Sequence, residues 1–242
     1  MIVLLDQGNS RVKWRLIGPD TVLEGSAERG DLSSLLEQAK DITELWLANV
    51  AGPSAEQLLL SQLSGRELAP VKVNKVSVQD GLGGLRLAYP ESSSLGVDRW
   101  LQMLAAHREY RVDLAVISAG TTMTVDFVNA DGRHQGGLIA PGLASLFKSL
   151  SSDTAMLPAL EPVFRSDWPL GQDTRACIES GVSAMWRGFL DQILAKARAE
   201  SRLVVVCGGD AIRIASFTSG GLVVRPNLAL DGLQILCNLE SA

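Results

Sequence analysis

One pattern opens both halves of the chain. Ile2–Leu5 is an apolar run that stops at Asp6, and Asp6-Gln7-Gly8-Asn9-Ser10 is a small-residue turn. Val12, Trp14 and Leu16 then alternate with Lys13 and Arg15. A short apolar run reads as a buried strand and strict alternation as a half-buried one, so the chain begins with a β-hairpin. At Leu114 the same build returns: Leu114–Ile117, the turn Ser118-Ala119-Gly120-Thr121-Thr122, then alternation to Val128. Laying Asp6 on Ser118 sets Gly8 on Gly120, Asn9 on Thr121 and Ser10 on Thr122. The offset is 112 residues in a chain of 242. A repeat of that length implies two similar domains, here expected over 1–112 and 113–242.

Strands alternate with helical patterns in both halves, the mark of an α/β architecture. Strands are expected over Glu44–Val50, Gly136–Gly142, Leu203–Cys207 and Val223–Arg225. Helices are expected over Leu32–Lys40, Ser54–Leu63, Arg99–Tyr110, Leu143–Leu150, Thr174–Ala199 and Leu228–Leu239. Asp98 stands where an N-cap belongs. The segment Gln79–Asp98 carries four glycines, a proline and three serines, and reads as a functional loop.

Composition narrows the function. Apolar residues make up 46% and charged residues 20%, enough to bury a core and too few charges for a disordered chain. The net charge of −5 shows no basic excess, so no nucleic-acid partner is expected. Three cysteines lie 30 residues apart, none in a C-x-x-C pair, and there are two histidines. That excludes a structural zinc site and suits a reducing cytosol. Met1–Leu5 is too short for a signal peptide and no run approaches ~20 apolar residues, so a cytoplasmic protein without membrane contact is expected.

Three turns share one composition: DQGNS, SAGTT and CGGD. Each follows an apolar strand and offers backbone N–H groups with little side-chain cover, which suits phosphate. Asp6 at a strand end suits a hydrated divalent cation, and Lys13 a phosphate. No G-x-x-x-x-G-K-[ST] and no G-x-S-x-G occurs, so neither a P-loop nor a serine-hydrolase elbow is present. His107 reads as a helix-surface residue and His134 as a turn residue. In Gly96-Val97-Asp98-Arg99 an acid and a base stand together where a helix opens. That pairing reads either as a capped helix with a surface Arg, or as a general base beside an anion clamp.

The ordered set resembles the type III pantothenate kinases: Asp6–Trp14, Tyr89, Gly96–Arg99, Ser118–Asp126, Gly136–Gly142, Gly171–Thr174 and Gly208–Asp210. The resemblance covers nearly the whole chain. It implies two duplicated ribonuclease-H-like domains of the actin-like ATPase superfamily with a cleft between them, the phosphate turns facing across it. It also implies ATP-dependent phosphorylation of pantothenate, the first step of coenzyme A synthesis, with Mg2+. Carried over by position, Asp6, Gln7, Gly8, Asn9, Ser10, Arg11, Val12 and Lys13 resemble the first phosphate loop, with Asp6 on the metal side. Thr121 resembles the ATP-contacting threonine of the second loop, and Gly208 and Gly209 the adenosine turn. Tyr89, Gly96, Val97, Asp98, Arg99 and Thr174 resemble the pantothenate site, with Asp98 as proton acceptor.

One position departs from the pattern. Ser118 stands where many members carry an Asp that helps hold potassium or ammonium, which puts the monovalent site in question; Asp126, nearby in sequence, is the acid left to fill part of that role. The resemblance further implies a homodimer whose partner completes the pantothenate pocket. Thr174–Ala199 fits this, because Ala176, Ile178, Val182, Met185, Trp186, Phe189 and Leu190 exceed one core-facing stripe. A second reading is a nucleotide-binding regulatory protein on the same fold with catalysis lost. A phosphatase or sugar kinase of the superfamily would share the phosphate turns but not Tyr89 with Gly96–Arg99.

Overall fold

The computed structural model describes residues 1–39, 41–64, 71–153, 157–218 and 220–240. The chain divides into two compact units, Met1–Tyr110 with Asn227–Ala242, and Arg111–Pro226.

The first unit is built on β1 (Ile2–Gln7), β2 (Arg11–Ile17), β3 (Val22–Glu28), β4 (Glu44–Asn49) and β5 (Lys72–Lys75). Its helices are α1 (Ser33–Gln38), α2 (Pro53–Ser64) and α3 (Val97–Tyr110). The last residue expected in α1, Lys40, lies outside the described residues. The sheet order is β3-β2-β1-β4-β5, antiparallel across β3, β2 and β1 and parallel across β1, β4 and β5. Val3, Leu5, Val12, Trp14 and Leu16 share one face and bury against Leu35 and Leu59 of the helices. β3 is mostly exposed and carries little apolar pattern, so only its pairing with β2 makes it a strand.

The second unit holds β6 (Leu114–Ala119), β7 (Thr122–Val128), β8 (His134–Pro141), β9 (Leu203–Cys207) and β10 (Leu222–Val224). Its helices are α4 (Leu143–Asp153), α5 (Thr174–Ala199) and α6 (Ala211–Phe217). The order β8-β7-β6-β9-β10 repeats that of the first unit, strand for strand and direction for direction. The 112-residue offset brings β1 onto β6. Beyond the turn the match slips by one, since three residues join β1 to β2 and two join β6 to β7. Lys13 opposite Asp6 therefore corresponds to Thr124 opposite Ser118.

The last helix, α7 (Leu228–Glu240), groups with the first unit rather than with the half that precedes it. The backbone of α3 at Leu101 fills the space a Cβ on Gly232 would need, and Leu228, Leu230 and Leu233 are buried. Arg15 fastens it from β2, donating to Asp231 Oδ1 at 2.7 Å and to Glu24 Oε1 at 2.6 Å. Asn227 Nδ2 also reaches Glu24, at 2.7 Å.

Both histidines are buried, contrary to the sequence expectation. α3 is enclosed on most sides, which takes His107 inside. His134 opens β8, and its Nε2 lies 3.0 Å from Asp126 Oδ1. No helix among the described residues is long and apolar enough to cross a membrane.

Candidate active site

In the first unit the two strands of the opening hairpin set Asp6 directly across from Lys13. Residues opposite each other in an antiparallel pair share a face, so carboxylate and ammonium lie together. Asp98 joins them from α3. Its carboxylate raises the pKa of Asp6, Lys13 lowers it, and burial raises it most, carrying it from the ordinary 3.8 to about 7. Two carboxylates close together in a poorly hydrated place resist joint ionisation. A divalent cation held there would relieve that conflict. No cluster of three or more metal-ligating side chains occurs among the described residues. Such a donor set suits Mg2+, which keeps waters and takes phosphate oxygens besides one or two carboxylates.

Gly96 rather than Asp98 precedes the helix. Trp100 N donates to Gly96 O at 3.1 Å, and Asp98 sits inside the first turn of α3. Its side chain folds back over Gly96, where a Cβ would meet Oδ1. An acid in the first turn is favoured by the helix dipole. Arg99 is almost fully buried, donates from Nη1 to the Tyr89 hydroxyl at 3.0 Å and lies 5.8 Å from the Tyr89 ring centre. Tyr89, Gly96, Val97, Asp98 and Arg99 thus form one local group with Asp6 and Lys13.

The rest of the first loop divides by role. Gly8 N donates to Arg11 O at 2.9 Å and closes the turn; Asn9 and Ser10 are exposed at its tip. Arg11 is turned aside to Ser26. The Gln7 and Val12 side chains point into the core, so Val12 serves the turn through its backbone alone. Gln7 is wholly buried, and neither its Oε1 nor its Nε2 has a hydrogen-bond partner among the described residues. Such a group costs about 1–3 kcal/mol.

In the second unit three turns interlock. Asp210 N donates to Ala119 O at 3.0 Å, Gly142 N to Thr121 O at 3.0 Å and Ser145 Oγ to Thr121 O at 2.6 Å. A side chain on Gly142 would strike the Gly120 carbonyl. One on Gly208, which has φ +89°, would strike the Ala119 carbonyl. These contacts align Thr121, Gly208 and Gly209 at the ends of neighbouring strands. Gly142 and Ser145 were not singled out from the sequence, although Gly136–Gly142 carried the signal. Ser118 faces Thr124 in register, while Asp126 is engaged by His134. Burial raises the pKa of Asp210, against the pull of Arg213 at 3.2 Å.

Thr174 stands apart from these turns at the start of α5, capped by Asp173 through Ala176 N at 2.7 Å. It lines a cavity of about 670 Å³ with Leu146, Leu150, Ile178, Val182 and Met185. Glu179, buried on α5, holds Arg165 and Arg175 and so pins the preceding loop.

Two α/β units of one repeated sheet order, each with a glycine turn after its first strand, define the duplicated ribonuclease-H-like, actin-like fold. Solved structures share it over 99% of the chain. A Campylobacter jejuni protein described as a Baf family transcriptional activator has TM-score 0.61 at 20% identity over 98% of its length. A Sinorhizobium meliloti protein described as a 2-dehydro-3-deoxygalactonokinase has TM-score 0.60 at 17% over 99%. The family pattern of type III pantothenate kinases matches residues 2–196. The type III pantothenate kinase of Teredinibacter turnerae is 36% identical over 99% of this chain and 100% of its own length. That of Marinobacter nauticus is 35% identical over 97% of each. The chain belongs to the type III pantothenate kinase family.

Proposed function

We propose that the protein transfers the γ-phosphoryl group of ATP to the primary hydroxyl of pantothenate. The observation that carries this reading is the grouping of Asp98, Asp6 and Lys13 around one strand end, with Arg99 buried beside it. Asp98 takes the hydroxyl proton as that oxygen bonds to the γ-phosphorus. The bond to the β–γ bridging oxygen breaks, giving 4′-phosphopantothenate and ADP. Arg99, oriented by Tyr89, pairs with the pantothenate carboxylate, a role suited to a planar donor. Lys13 and the N–H groups of the first turn take phosphate oxygens, as do Thr121 and its neighbours in the second unit; Gly208 and Gly209 border the adenosine. Asp6 would hold Mg2+, which screens phosphate charge when bound.

The reading extends to a homodimer in the cytoplasm in which Thr174 completes the partner's pantothenate pocket. The exposed apolar part of α5 supports it. Ser118, uncharged, supports a weak monovalent-cation site.

The test is ADP release with and without pantothenate, in wild type and Asp98→Asn. Pantothenate-dependent turnover is expected in wild type, falling ~10²–10⁴-fold in the variant with pantothenate still bound. Near wild-type turnover of Asp98→Asn would refute the assignment of the base.

A further inference from the structure

The Gln7 amide stands out because nothing in its surroundings accounts for it. It ends β1 on the face shared with Val3 and Leu5, opposite the buried Val12 and beside Asn49 of β4. Asn49 is bonded elsewhere: its Nδ2 goes to Gly52 O at 3.0 Å and to Glu56 Oε2 at 3.4 Å, and its Oδ1 accepts from Ala51 N at 2.9 Å. Gln7's own carbonyl accepts from Val50 N at 3.0 Å. The side-chain amide is thus fully enclosed with both polar atoms unpaired, one residue before the turn Gly8–Arg11. A buried polar group without partners destabilises a fold, and a buried orphan asks for an explanation.

We propose that Gln7 is a positioning residue for the first phosphate turn: its amide gains hydrogen-bond partners from the turn backbone when that turn closes on phosphate. This rests on the kinase reading above. The turn is the nearest stretch by chain connectivity, and Asn9 and Ser10 are exposed at its tip. A ligand shifts a conformational equilibrium only through interactions that differ between its states. Bonds from Gln7 to the closed turn would be such a difference, so the strain in one arrangement becomes phosphate affinity in the other.

Gln7→Met keeps length and volume, removes both polar atoms and suits the apolar surroundings. Two measurements on the full chain test the proposal. Thermal unfolding without nucleotide should shift upward by several degrees. Calorimetric titration should show ATP and ADP bound about 5- to 10-fold more weakly, with adenosine, which lacks phosphate, bound as by wild type. A merely structural role for Gln7 would move the first readout and leave the second. Unchanged ATP affinity, an equal loss for adenosine, or a melting temperature that stays or falls would each overturn the proposal. Wild type that binds no ATP would instead refute the kinase reading itself, and this proposal with it.

Discussion

Asp6 shows how one residue's surroundings set its chemistry. Its carboxyl is held up to about 7 by burial first and Asp98 second. Between about pH 4 and pH 7 the folded chain therefore binds more protons at Asp6 than the unfolded chain does. Stability falls as pH rises through that window, and the full penalty stands above pH 7. The shift of about three units corresponds to at most about 4 kcal/mol. Partial exposure reduces it to roughly 2 kcal/mol, or about 4–8 °C for a chain of this size. Asp6→Asn should therefore raise the melting temperature at pH 8 by about that much and leave it unchanged at pH 4, while removing activity. Equal effects at both pH values would show that Asp6 is not strained. Ser118 makes a second prediction. An uncharged side chain lies opposite Thr124, and Asp126 is taken by His134. Turnover titrated with potassium at fixed ionic strength should rise no more than about 3-fold, since little charge is left to attract the ion. A strict requirement would mean that backbone carbonyls build the site.

Among the elements, α5 carries most. Ile178, Val182, Trp186, Leu190 and Ile193 form its buried stripe, which explains much of the excess apolar pattern seen in the sequence. What remains is a separate face of Cys177, Gly181, Met185 and Gly188, with Met185 57% exposed. A Cβ on Gly181 or Gly188 would meet nothing within 4 Å. Small residues leave room for close approach of another helix, and a charge placed there would be costly to bury. Met185→Glu is expected to weaken self-association at least ~10-fold by light scattering, and pantothenate binding with it, while the far-ultraviolet circular dichroism is unchanged. Wild type that is monomeric and fully active at micromolar concentration would overturn the shared site. The bounds of α5 and β9 were legible because a long helical period and a short run of valines are local signals. α6 and β3 were not, because each owes its form to what it packs on or pairs with.

At the scale of the molecule, the chain returns to its first unit through α7, and Arg15 is the fastening. It bridges Glu24 and Asp231 with its own side chain only 13% exposed. Arg15→Ala removes the charge-assisted hydrogen bonds to Glu24 and Asp231, a loss of about 1.5–3 kcal/mol. The melting temperature should fall by roughly 3–12 °C. Asp231→Asn, which spares Glu24, should give a smaller fall. A fall under 1 °C for Arg15→Ala would show that apolar packing on α3 holds α7 unaided.

The sequence by itself determined the duplicated hairpins, the family and the residues of the turns, since all of these rest on pattern along the chain. It also placed Asp98 beside Arg99 at the mouth of a helix. Tertiary structure alone decided that Asp98 lies inside the first turn rather than at the cap. It also decided that Asp6 feels Asp98 and Lys13 together, and that Val12 and Gln7 turn inward from the loop they belong to. It gave α7 to the first unit, and it buried His107 and His134. These outcomes depend on what lies across a sheet or behind a helix. Burial and charge act through space, and pattern along the chain carries no record of distance between residues far apart in it.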